Sequence, residues 1–515
     1  MNNNSSGSIY LEKSNLKANL LLGFYNFLLH FIFLLLLPLF IIAVPFTKRL
    51  KMGFFNYFGL FFPAQLSFIK NARLNGRKFY VIHGVSVGEI KLAKFVMTEI
   101  LKNDINAVFA LTTTAPDSFD EALKLRFENR VLPLFFPVDL PLFMSIFLNS
   151  LKPESIFIIE VDFWPNFLIA AAVRKVPVYL LNGRISNKTL KFYSALGVFS
   201  KSLLSLFSMF FMQTAADSER MIKMGAQPEN VVACGNMKFD LSRVGADLEK
   251  VSFLNAAITF NFKNEYNFII TAGSTHPDEE TGIMEALRDV RTQIPDFKPL
   301  LIIAPRKIAR AAEICQKLSP AADIKLFSEF SGTTCELKSE ADTSLQADSA
   351  SEKQDYGCHN DSGLPQLKSD CDNSRPAADN FSIKVLLIDK MGFLVSAYAV
   401  SDAAYVGGTL SKVDVGGHNI IEPAIFGIPL IFGPGIRNFM DCSAELKKSG
   451  IAFQVNDFNE LAGKIKFLYL NHASAATADG RRKLLEIIAR NSNVTEKIFL
   501  TIKESQWKDR LHSIL

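Results

Sequence analysis

The sequence lacks acidic residues over a long N-terminal stretch, and it contains few cysteines. Residues 13–88 include no Asp or Glu, so the basic side chains there have no acidic neighbours along the chain. The six cysteines are scattered between Cys234 and Cys442 without a Cys-x-x-Cys pair. This pattern excludes a disulfide framework and a zinc site of ordinary spacing, and it favours a reducing, cytoplasmic location. The formal net charge of +5 is a mild excess that does not indicate nucleic-acid binding.

The acid-free stretch contains a long apolar run. Residues 20–44 contain no Asp, Glu, Lys or Arg, and about 20 apolar residues suffice to span a bilayer. No small-x-small cleavage site follows, so we predict an uncleaved transmembrane anchor rather than a signal peptide. The basic residues accumulate after the run, which predicts that the bulk of the chain lies in the cytoplasm. Residues 52–70 fit either an interfacial segment that attracts anionic headgroups or a buried part of the first domain.

The rest of the chain alternates short apolar runs with amphipathic stretches. The runs KFYVIH, NAVFALTTT, SIFIIEVD, VPVYLLNG and MFFMQT form a first series, and a second begins near residue 266 with YNFIITAGS. This βαβ pattern predicts two α/β domains of Rossmann-like type with ligands at the carboxyl ends of parallel strands. We place the tail and anchor at 1–50, the first domain at 51–255 and the second at 256–515.

One internal segment does not fit this alternation. Residues 331–380 carry ten acidic and four basic residues with few large apolar ones. Such a composition does not bury a core, so we predict a disordered surface insertion in the second domain. A metal site built from its Cys335, Cys358, Cys371 and His359 is disfavoured by their irregular spacing.

Three residues of the first series stand out as candidates for chemistry. Glu89 follows the strand-loop sequence HGVSVG at the start of a helical pattern, where it is either a helix-start charge or a base for an acceptor hydroxyl. Glu160 ends an apolar strand in EVDFWPN, where a structural corner is the alternative. Lys238 in GNMKFD either is a solvated surface charge or balances a developing negative charge. Arg184 in LNGRIS is a further candidate for an anionic group.

The second series offers candidates for a nucleotide site. The loop AGSTHPDEE has N–H groups that can hold a phosphate, and Arg306 after Pro305 is a natural phosphate partner. Asn419 and Glu422 are three residues apart and share one helical face, an arrangement that suits two ribose hydroxyls. Each feature alone is common in the loops that follow strands of an α/β sheet, but together they indicate a nucleotide site.

These motifs occur in the same order as in a known enzyme family. The chain resembles 3-deoxy-D-manno-octulosonic acid (Kdo) transferases over about residues 50–500, apart from the insertion. The motifs are HGVSVGE, EVDFWPN, LNGRIS, GNMKFD, GSTHPDEE, APR, DKMG, VGGT and GGHNIIEPA.

The resemblance implies a GT-B glycosyltransferase with two Rossmann-like domains facing a cleft. The acceptor would bind the first domain and the donor, CMP-Kdo, the second. Kdo would pass with inversion to lipid IVA, a lipid A precursor, at the cytoplasmic face of the inner membrane, in lipopolysaccharide biosynthesis. No cofactor, metal or nucleic acid is expected.

The resemblance also implies roles for individual residues. Glu89 would be the general base, with Glu160 and Lys238 supporting the transition state. The residues implied in contacts to CMP are Pro305, Arg306, Met391, Gly392, Phe393, Asn419, Ile420, Ile421 and Glu422.

The chain departs from the family pattern at a few positions. Phe393 stands where an acid is common after Met-Gly, Lys307 where His is frequent, and Val161 where Ser is usual. Two alternatives therefore stay open: a membrane-associated GT-B transferase with another nucleotide-sugar donor, and a non-catalytic lipid-binding homologue.

Overall fold

The protein is described here by a computed structural model. The structure describes residues 16–514 except 126, 161, 244–246, 264, 333–381 and 414. The predicted disordered insertion and its cysteines therefore lie outside the described residues, apart from the first two positions of the segment.

The chain forms two compact units. The first unit comprises Met1–Leu241 together with Asn491–Leu515, and the second comprises Ser242–Arg490. The division differs from the predicted boundary at 255/256, which lies inside a helix, and the C-terminal residues belong to the first unit. Dividing the sequence into consecutive segments cannot show that the C-terminal residues pack on the N-terminal unit.

Seven strands of the first unit's described residues form one parallel sheet in the order β3-β2-β1-β4-β5-β6-β7. They are β1 (Lys78–His83), β2 (Ala107–Thr113), β3 (Val131–Phe135), β4 (Ser155–Ile159), β5 (Val178–Gly183), β6 (Met209–Met212) and β7 (Val231–Ala233). Every residue of β2, β4 and β5 is buried, as expected for strands covered on both faces. The five predicted strands of this series are confirmed, whereas β3 and β7 had not been predicted.

The second unit's described residues form another seven-stranded parallel sheet, in the order β10-β11-β9-β8-β12-β13-β14. Its strands are β8 (Phe268–Thr275), β9 (Pro299–Pro305), β10 (Ala322–Leu326), β11 (Ile383–Leu387), β12 (Ala403–Val406), β13 (Leu430–Phe432) and β14 (Ala452–Gln454). The two parallel-sheet α/β units confirm the predicted pair of Rossmann-like domains from which the GT-B fold is built.

Helices connect the strands in both units. Those of the first unit are α1 (Leu16–Ala43), α2 (Lys48–Tyr57), α3 (Pro63–Leu74), α4 (Val87–Asn103), α5 (Pro116–Lys124), α6 (Pro141–Leu151), α7 (Pro165–Val173), α8 (Asn187–Ala195), α9 (Val198–Leu204) and α10 (Ala215–Lys223). Those of the second unit are α11 (Leu248–Phe262), α12 (Glu279–Gln293), α13 (Ala311–Leu318), α14 (Leu394–Ala399), α15 (Ile421–Ala424), α16 (Met440–Lys447), α17 (Phe458–Asn471) and α18, which begins at Ala475 and ends at Asn491.

The last helix, α19 (Val494–Ile514), is held on the first unit by a buried carboxylate. Asp240 accepts hydrogen bonds from the backbone N–H groups of Val494 (2.9 Å) and Thr495 (2.8 Å). The carboxylate thus satisfies donors that a helix N-terminus leaves unpaired. The ring of Phe499 packs 5.5 Å from that of Phe157 on β4. These contacts explain why the C-terminal residues belong to the first unit.

Among the described residues, one helix is long and apolar enough to cross a membrane, judged by length and composition. It covers Leu16–Phe46, the segment that was predicted as an anchor. Further along the chain, α3 buries Ile69 and Ala72 but exposes Leu66 and Leu74, which are 50% and 75% accessible. The buried side of α3 confirms that this region is in part core of the first unit, and the attraction of its exposed side to anionic headgroups stays a prediction.

Candidate active site

Glu89 is fixed at the N-terminus of α4 by its own loop. The side chain of Ser86 caps the helix by accepting from the Glu89 N–H (3.2 Å), and its hydroxyl donates to Glu89 Oε1 (2.6 Å). The Val85 N–H donates to Oε2 (2.6 Å). The residue is 7% exposed, and burial together with the negative charge of Glu160 raises the pKa of its carboxyl, which the hydrogen bonds partly offset. A carboxylate with a raised pKa is a stronger base than an ordinary glutamate.

The glycines of this loop have unequal roles. A Cβ atom on Gly84 would lie 3.0 Å from the Cβ of Glu89, so a side chain there would press directly on the base. Gly88 lies inside the first turn of α4, and a Cβ there would meet Ser86 Oγ at 3.7 Å, an ordinary contact. Of the two glycines, only Gly84 lies where a side chain would press on Glu89.

Glu160 and Lys238 form an ion pair beside this base. Glu160 follows β4 directly and has φ of +65°, a left-handed conformation that is unusual for a residue with a side chain. The Nζ atom of Lys238 lies 3.4 Å from Glu160 Oε1, and the two side chains are 16% and 32% exposed. Because β1 and β4 are neighbours where the strand order reverses, Glu89 and Glu160 both follow strands at the topological switch point.

A buried amide network places the loop that carries Lys238. Asn182, at φ of +55°, accepts from the Met237 N–H through Oδ1 (2.9 Å), and its carbonyl accepts from Gln213 Nε2 (3.0 Å). Gln213 Oε1 accepts from Asn236 Nδ2 (2.9 Å), and Asn236 Oδ1 accepts from the Lys238 N–H (2.9 Å). Asn182 and Asn236 lie in the motifs LNGRIS and GNMKFD, in which Arg184 and Lys238 were the predicted functional residues. Arg184 itself is exposed just beyond β5.

A third carboxyl group, Asp162, belongs to the same cluster. Burial and the charges of Glu89 and Glu160 raise the pKa of Asp162 to about 7. Its Oδ2 lies 3.8 Å from Nε2 of His83, a fully buried imidazole at the end of β1. His83 Nδ1 pairs with Thr112 Oγ1 at 2.9 Å, whereas Nε2 has no hydrogen-bond partner among the described residues. Burial lowers the pKa of His83 to about 3, so the ring is neutral at pH 7.

In the second unit, Glu279 organises the loop after β12. It is 1% exposed and accepts hydrogen bonds from the Tyr405 hydroxyl and from backbone N–H groups on both sides. The backbone donors are those of His276 (2.9 Å), Gly408 (2.7 Å), Thr409 (3.2 Å) and Leu410 (3.1 Å). The loops after β8 and β12, again neighbours at a switch point, are thereby joined. We had expected the N–H groups of AGSTHPDEE to bind a phosphate. The His276 N–H instead donates to Glu279, so this donor is not available to a ligand.

Two further contacts complete the end of β8. Glu280 accepts from Arg310 Nη1 (2.8 Å) and Nη2 (3.2 Å) as a two-point ion pair, and from the Thr275 hydroxyl (2.8 Å). Nε2 of His276 lies 2.8 Å from Nε2 of His418. In a hydrogen bond between these two nitrogens, one Nε2 carries a proton and donates, and the other Nε2 is unprotonated and accepts. Neither contact follows from a sequence pattern.

Pro305 and Arg306 lie at the expected strand end. Pro305 is the last residue of β9, and the Arg306 N–H donates to the Thr275 carbonyl at 3.0 Å. The residue Arg306 is exposed. Its position one strand away from the switch point suits a cation that meets an anionic ligand from solvent.

The Met391-Gly392-Phe393 stretch forms an open turn. Met391 is 80% exposed, and Gly392 has φ of +87°, which disfavours other residues. The Phe393 ring packs 4.5 Å from that of Phe327, and Lys250 Nζ lies 5.6 Å from its centre. Phe393 therefore has a packing role in this chain, and the neighbouring backbone remains accessible.

Asn419 and Glu422 contact each other, but Asn419 precedes α15, so the predicted sharing of one helical face is wrong. Asn419 Nδ2 donates to Glu422 Oε1 (3.2 Å), and Asn419 Oδ1 accepts from the Ile421 N–H (3.0 Å). Ile420 and Ile421 are fully buried, so their side chains pack in the interior of the second unit and are not presented to a ligand. Among the described residues no group of three or more His, Cys, Asp or Glu side chains is placed to hold a metal ion.

Comparison with known proteins finds similarity to one enzyme family. Residues 61–241 match the family of 3-deoxy-D-manno-octulosonic-acid transferases. The chain is 28% identical over 400 residues to the 3-deoxy-D-manno-octulosonic acid transferase of Aquifex aeolicus, covering 77% of this chain and 88% of that one. It is 25% identical over 392 residues to the enzyme of the same name from Haemophilus influenzae, covering 76% and 79%.

A Fusobacterium nucleatum bifunctional glycosyltransferase/methyltransferase is 27% identical over 451 residues, and the chain spans 61% of that longer protein and 85% of itself. Among solved structures, the C-terminal CMP-Kdo binding domain of WaaA from Acinetobacter baumannii aligns with a TM-score of 0.32 at 22% identity, covering 47% of this chain and 99% of that one. A UDP-GlcNAc 2-epimerase from Neisseria meningitidis aligns with a TM-score of 0.48 at 12% identity, covering 83% and 100%. The family match over residues 61–241, together with the relatives of that name over most of the chain, supports a Kdo transferase, which is a glycosyltransferase.

Proposed function

We propose that the protein transfers Kdo from CMP-Kdo to a hydroxyl group of lipid IVA in lipopolysaccharide biosynthesis, with inversion at the anomeric carbon. The family supports the sugar, and the name of the A. baumannii domain suggests the nucleotide. The observation that carries the mechanism is the environment of Glu89, a buried carboxylate held by two hydrogen bonds at a strand switch point. Catalysis takes place at the cytoplasmic side of the inner membrane, to which α1 attaches the chain.

The reaction needs one base and no covalent intermediate. The acceptor oxygen forms a bond to the anomeric carbon while the bond from that carbon to the CMP phosphate oxygen breaks. CMP leaves with the electron pair, and the acceptor proton passes to Glu89. Raising the pKa of the base toward the working pH favours this proton transfer. The hydrogen bonds from Val85 and Ser86 already hold the Glu89 carboxylate in one conformation, so the reaction does not have to order this side chain.

Charged groups in each unit stabilise the charges that develop during the reaction. In the first unit, Lys238 offsets the charge of Glu160 beside the base. In the second unit, Arg306 faces the leaving phosphate and Asn419 with Glu422 holds the ribose. Backbone groups around Met391-Gly392 and the chain from Asn419 to Glu422 complete the CMP contacts. The mechanism requires no cofactor and no metal ion.

The test is Kdo transfer from CMP-Kdo to lipid IVA by the full chain in membranes, compared with Glu89→Gln. Loss of a general base lowers the rate by about 10²- to 10⁴-fold. Glu219→Gln, on the exposed side of α10, is the matched control and keeps wild-type activity. Equal rates for Glu89→Gln and wild type would remove Glu89 from the mechanism.

Nucleotide binding tests the donor separately. CMP is expected to raise the melting temperature of the wild type and of Glu89→Gln alike, and UDP is not. Protection by UDP in place of CMP would favour the alternative of a transferase with another donor. Binding of lipid IVA without transfer of any sugar would favour the non-catalytic homologue.

A further inference from the structure

The N-terminal helix α1 contacts the first unit along its whole length. Tyr25 donates its hydroxyl proton to the buried Asp139 (2.9 Å), and Asn26 Oδ1 accepts from Asn166 Nδ2 (2.7 Å). Leu22, near one end of the helix, packs against the main core cluster of this unit. Phe40, near the other end, packs against Tyr57 with ring centres 5.8 Å apart.

The length of this contact is the decisive quantity. Leu22 and Phe40 are 18 residues apart, which is about 27 Å along an α-helix. The hydrocarbon core of a bilayer is about 30 Å thick. A helix that crossed the bilayer while keeping these contacts would carry the adjoining surface of the first unit through most of the hydrocarbon.

The adjoining surface is not built for hydrocarbon. Helix α9, which packs on α1, carries the exposed Lys201, and the neighbouring α8 exposes Lys191. A lysine at the bilayer centre costs about 2.5–3.5 kcal/mol on an insertion scale. The polar bonds of Tyr25 and Asn26 lie in the first half of the apolar run, where a spanning helix would have lipid or another helix as its neighbour.

The opposite face of α1 is a continuous apolar stripe. Its members, spaced mostly three or four residues apart, are all more than half exposed: Leu20, Phe24, Phe27, Phe31, Leu34, Leu35, Leu39 and Ile42. The residues that face the protein lie on the other side of the helix, at positions such as Leu22, Phe33 and Phe40. This two-sided pattern is that of a helix with protein on one face and an apolar phase on the other.

The surface beyond the stripe identifies the apolar phase. The helix is followed by Phe46, which is 85% exposed, and by the exposed face of α3 with Leu66 and Leu74. Lys70 and Arg73 are exposed on the same helix α3, and no acidic residue occurs in residues 13–88. Apolar side chains beside unopposed basic ones match a leaflet rich in anionic headgroups.

We propose that α1 lies in the plane of the membrane, with its stripe in one leaflet and its other face on the first unit. Both ends of the helix then remain on the side of the catalytic units, and the helix does not cross the bilayer. This inference rests on the proposed membrane site of action and specifies how the protein reaches it. It replaces the spanning arrangement that the sequence favoured with a monotopic one.

A depth profile tests this arrangement. In a chain with its six cysteines replaced, single cysteines at Leu20, Phe24, Phe27, Phe31, Leu35 and Leu39 carry nitroxides in phosphatidylethanolamine–phosphatidylglycerol vesicles. Oxygen and nickel collision rates give a similar depth of about 5–10 Å at all six positions if the helix lies in plane. A spanning helix gives a maximum near Phe31 about 15 Å deeper than at the ends, and that result overturns the proposal. Label–label broadening between copies, without oxygen exposure, overturns it in favour of a protein partner.

The side of the N-terminus is an independent readout. Ser5→Cys and the exposed Lys94→Cys are treated with a membrane-impermeant maleimide in spheroplasts before and after lysis. The in-plane helix leaves both unlabelled until lysis, whereas a spanning helix labels Ser5→Cys in intact spheroplasts. Neither experiment depends on transfer of Kdo, so a chain with no transferase activity and a flat depth profile would refute the proposed function alone.

Discussion

Lys238 Nζ lies 3.4 Å from Glu160 Oε1, and the charge of Glu160 raises the pKa of Glu89. Lys238 therefore affects the pKa of Glu89 indirectly, because its positive charge offsets the negative charge of Glu160. Removing Lys238 leaves the negative charge of Glu160 without its counter-charge. The free energy of the ionised form of Glu89 then rises.

We expect Lys238→Met to lower transfer and to move the acid limb of the kcat/KM profile to higher pH by about one unit. Lys238→Arg keeps the positive charge and is expected to retain most of the wild-type profile. The measurement is kcat/KM between pH 5 and 9 for the three proteins. An unshifted acid limb in Lys238→Met would mean that the ion pair does not tune the base.

The two glycines of the Glu89 loop give a matched pair of substitutions. Gly84→Ala places a methyl group 3.0 Å from the Glu89 Cβ, so we expect activity to fall while the protein remains folded. Gly88→Ala adds a methyl group in an open helical position and should stabilise the protein by about 0.4–1 kcal/mol. Urea unfolding and initial rates measure both effects. Equal activity of the two variants would show that the position of Glu89 tolerates displacement.

Glu279→Gln probes the loop after β12. The change removes the charge that Gly408, Thr409 and Leu410 share through their N–H groups, so we expect the second unit to lose about 3 kcal/mol of unfolding free energy. CMP affinity should fall with it, because the loop lies at the switch point of the sheet. Glu285→Gln, on the exposed side of α12, is the control that should change neither quantity. Full stability of Glu279→Gln would contradict a structural role for the carboxylate.

His83 predicts an acid sensitivity of the first unit. Its pKa is lowered to about 3 in the folded protein from an ordinary value of 6.5, so the unfolded state binds the proton more tightly. The stability that depends on neutral His83 is complete above pH 6.5 and declines as pH falls toward 3, by up to about 1.4 kcal/mol per unit.

The measurement is urea unfolding at pH 6.5 and pH 4.5 for wild type and His83→Gln. Wild type should lose about 2–3 kcal/mol more than His83→Gln over this interval. The same loss in both proteins would place the acid sensitivity elsewhere, for example in the His276–His418 contact of the second unit.

The sequence alone predicted the strands that carry the site. β1, β4 and β5 are apolar runs that end in polar or glycine-containing turns, a pattern that buried parallel strands produce because both their faces are covered. The strands that were missed are weaker signals. β7 and β14 have three residues each, and β10 has the mixed sequence ADIKL with partial exposure. Short or edge strands carry too few buried side chains to form a periodic pattern.

By itself the sequence determined the two α/β units, the apolar N-terminal helix and the placement of Glu89, Glu160 and Arg306 at strand ends, because these follow from local composition and spacing. Tertiary structure decided which of these groups meet. Glu160 pairs with Lys238 across 78 positions, and Asp240 holds Thr495 across 255, since strand order and the return of α19 bring distant segments together. It also decided that Glu279 is an internal hydrogen-bond acceptor and that α1 has a protein-facing side. Both facts depend on packing partners that are remote in the chain, and no local pattern encodes them.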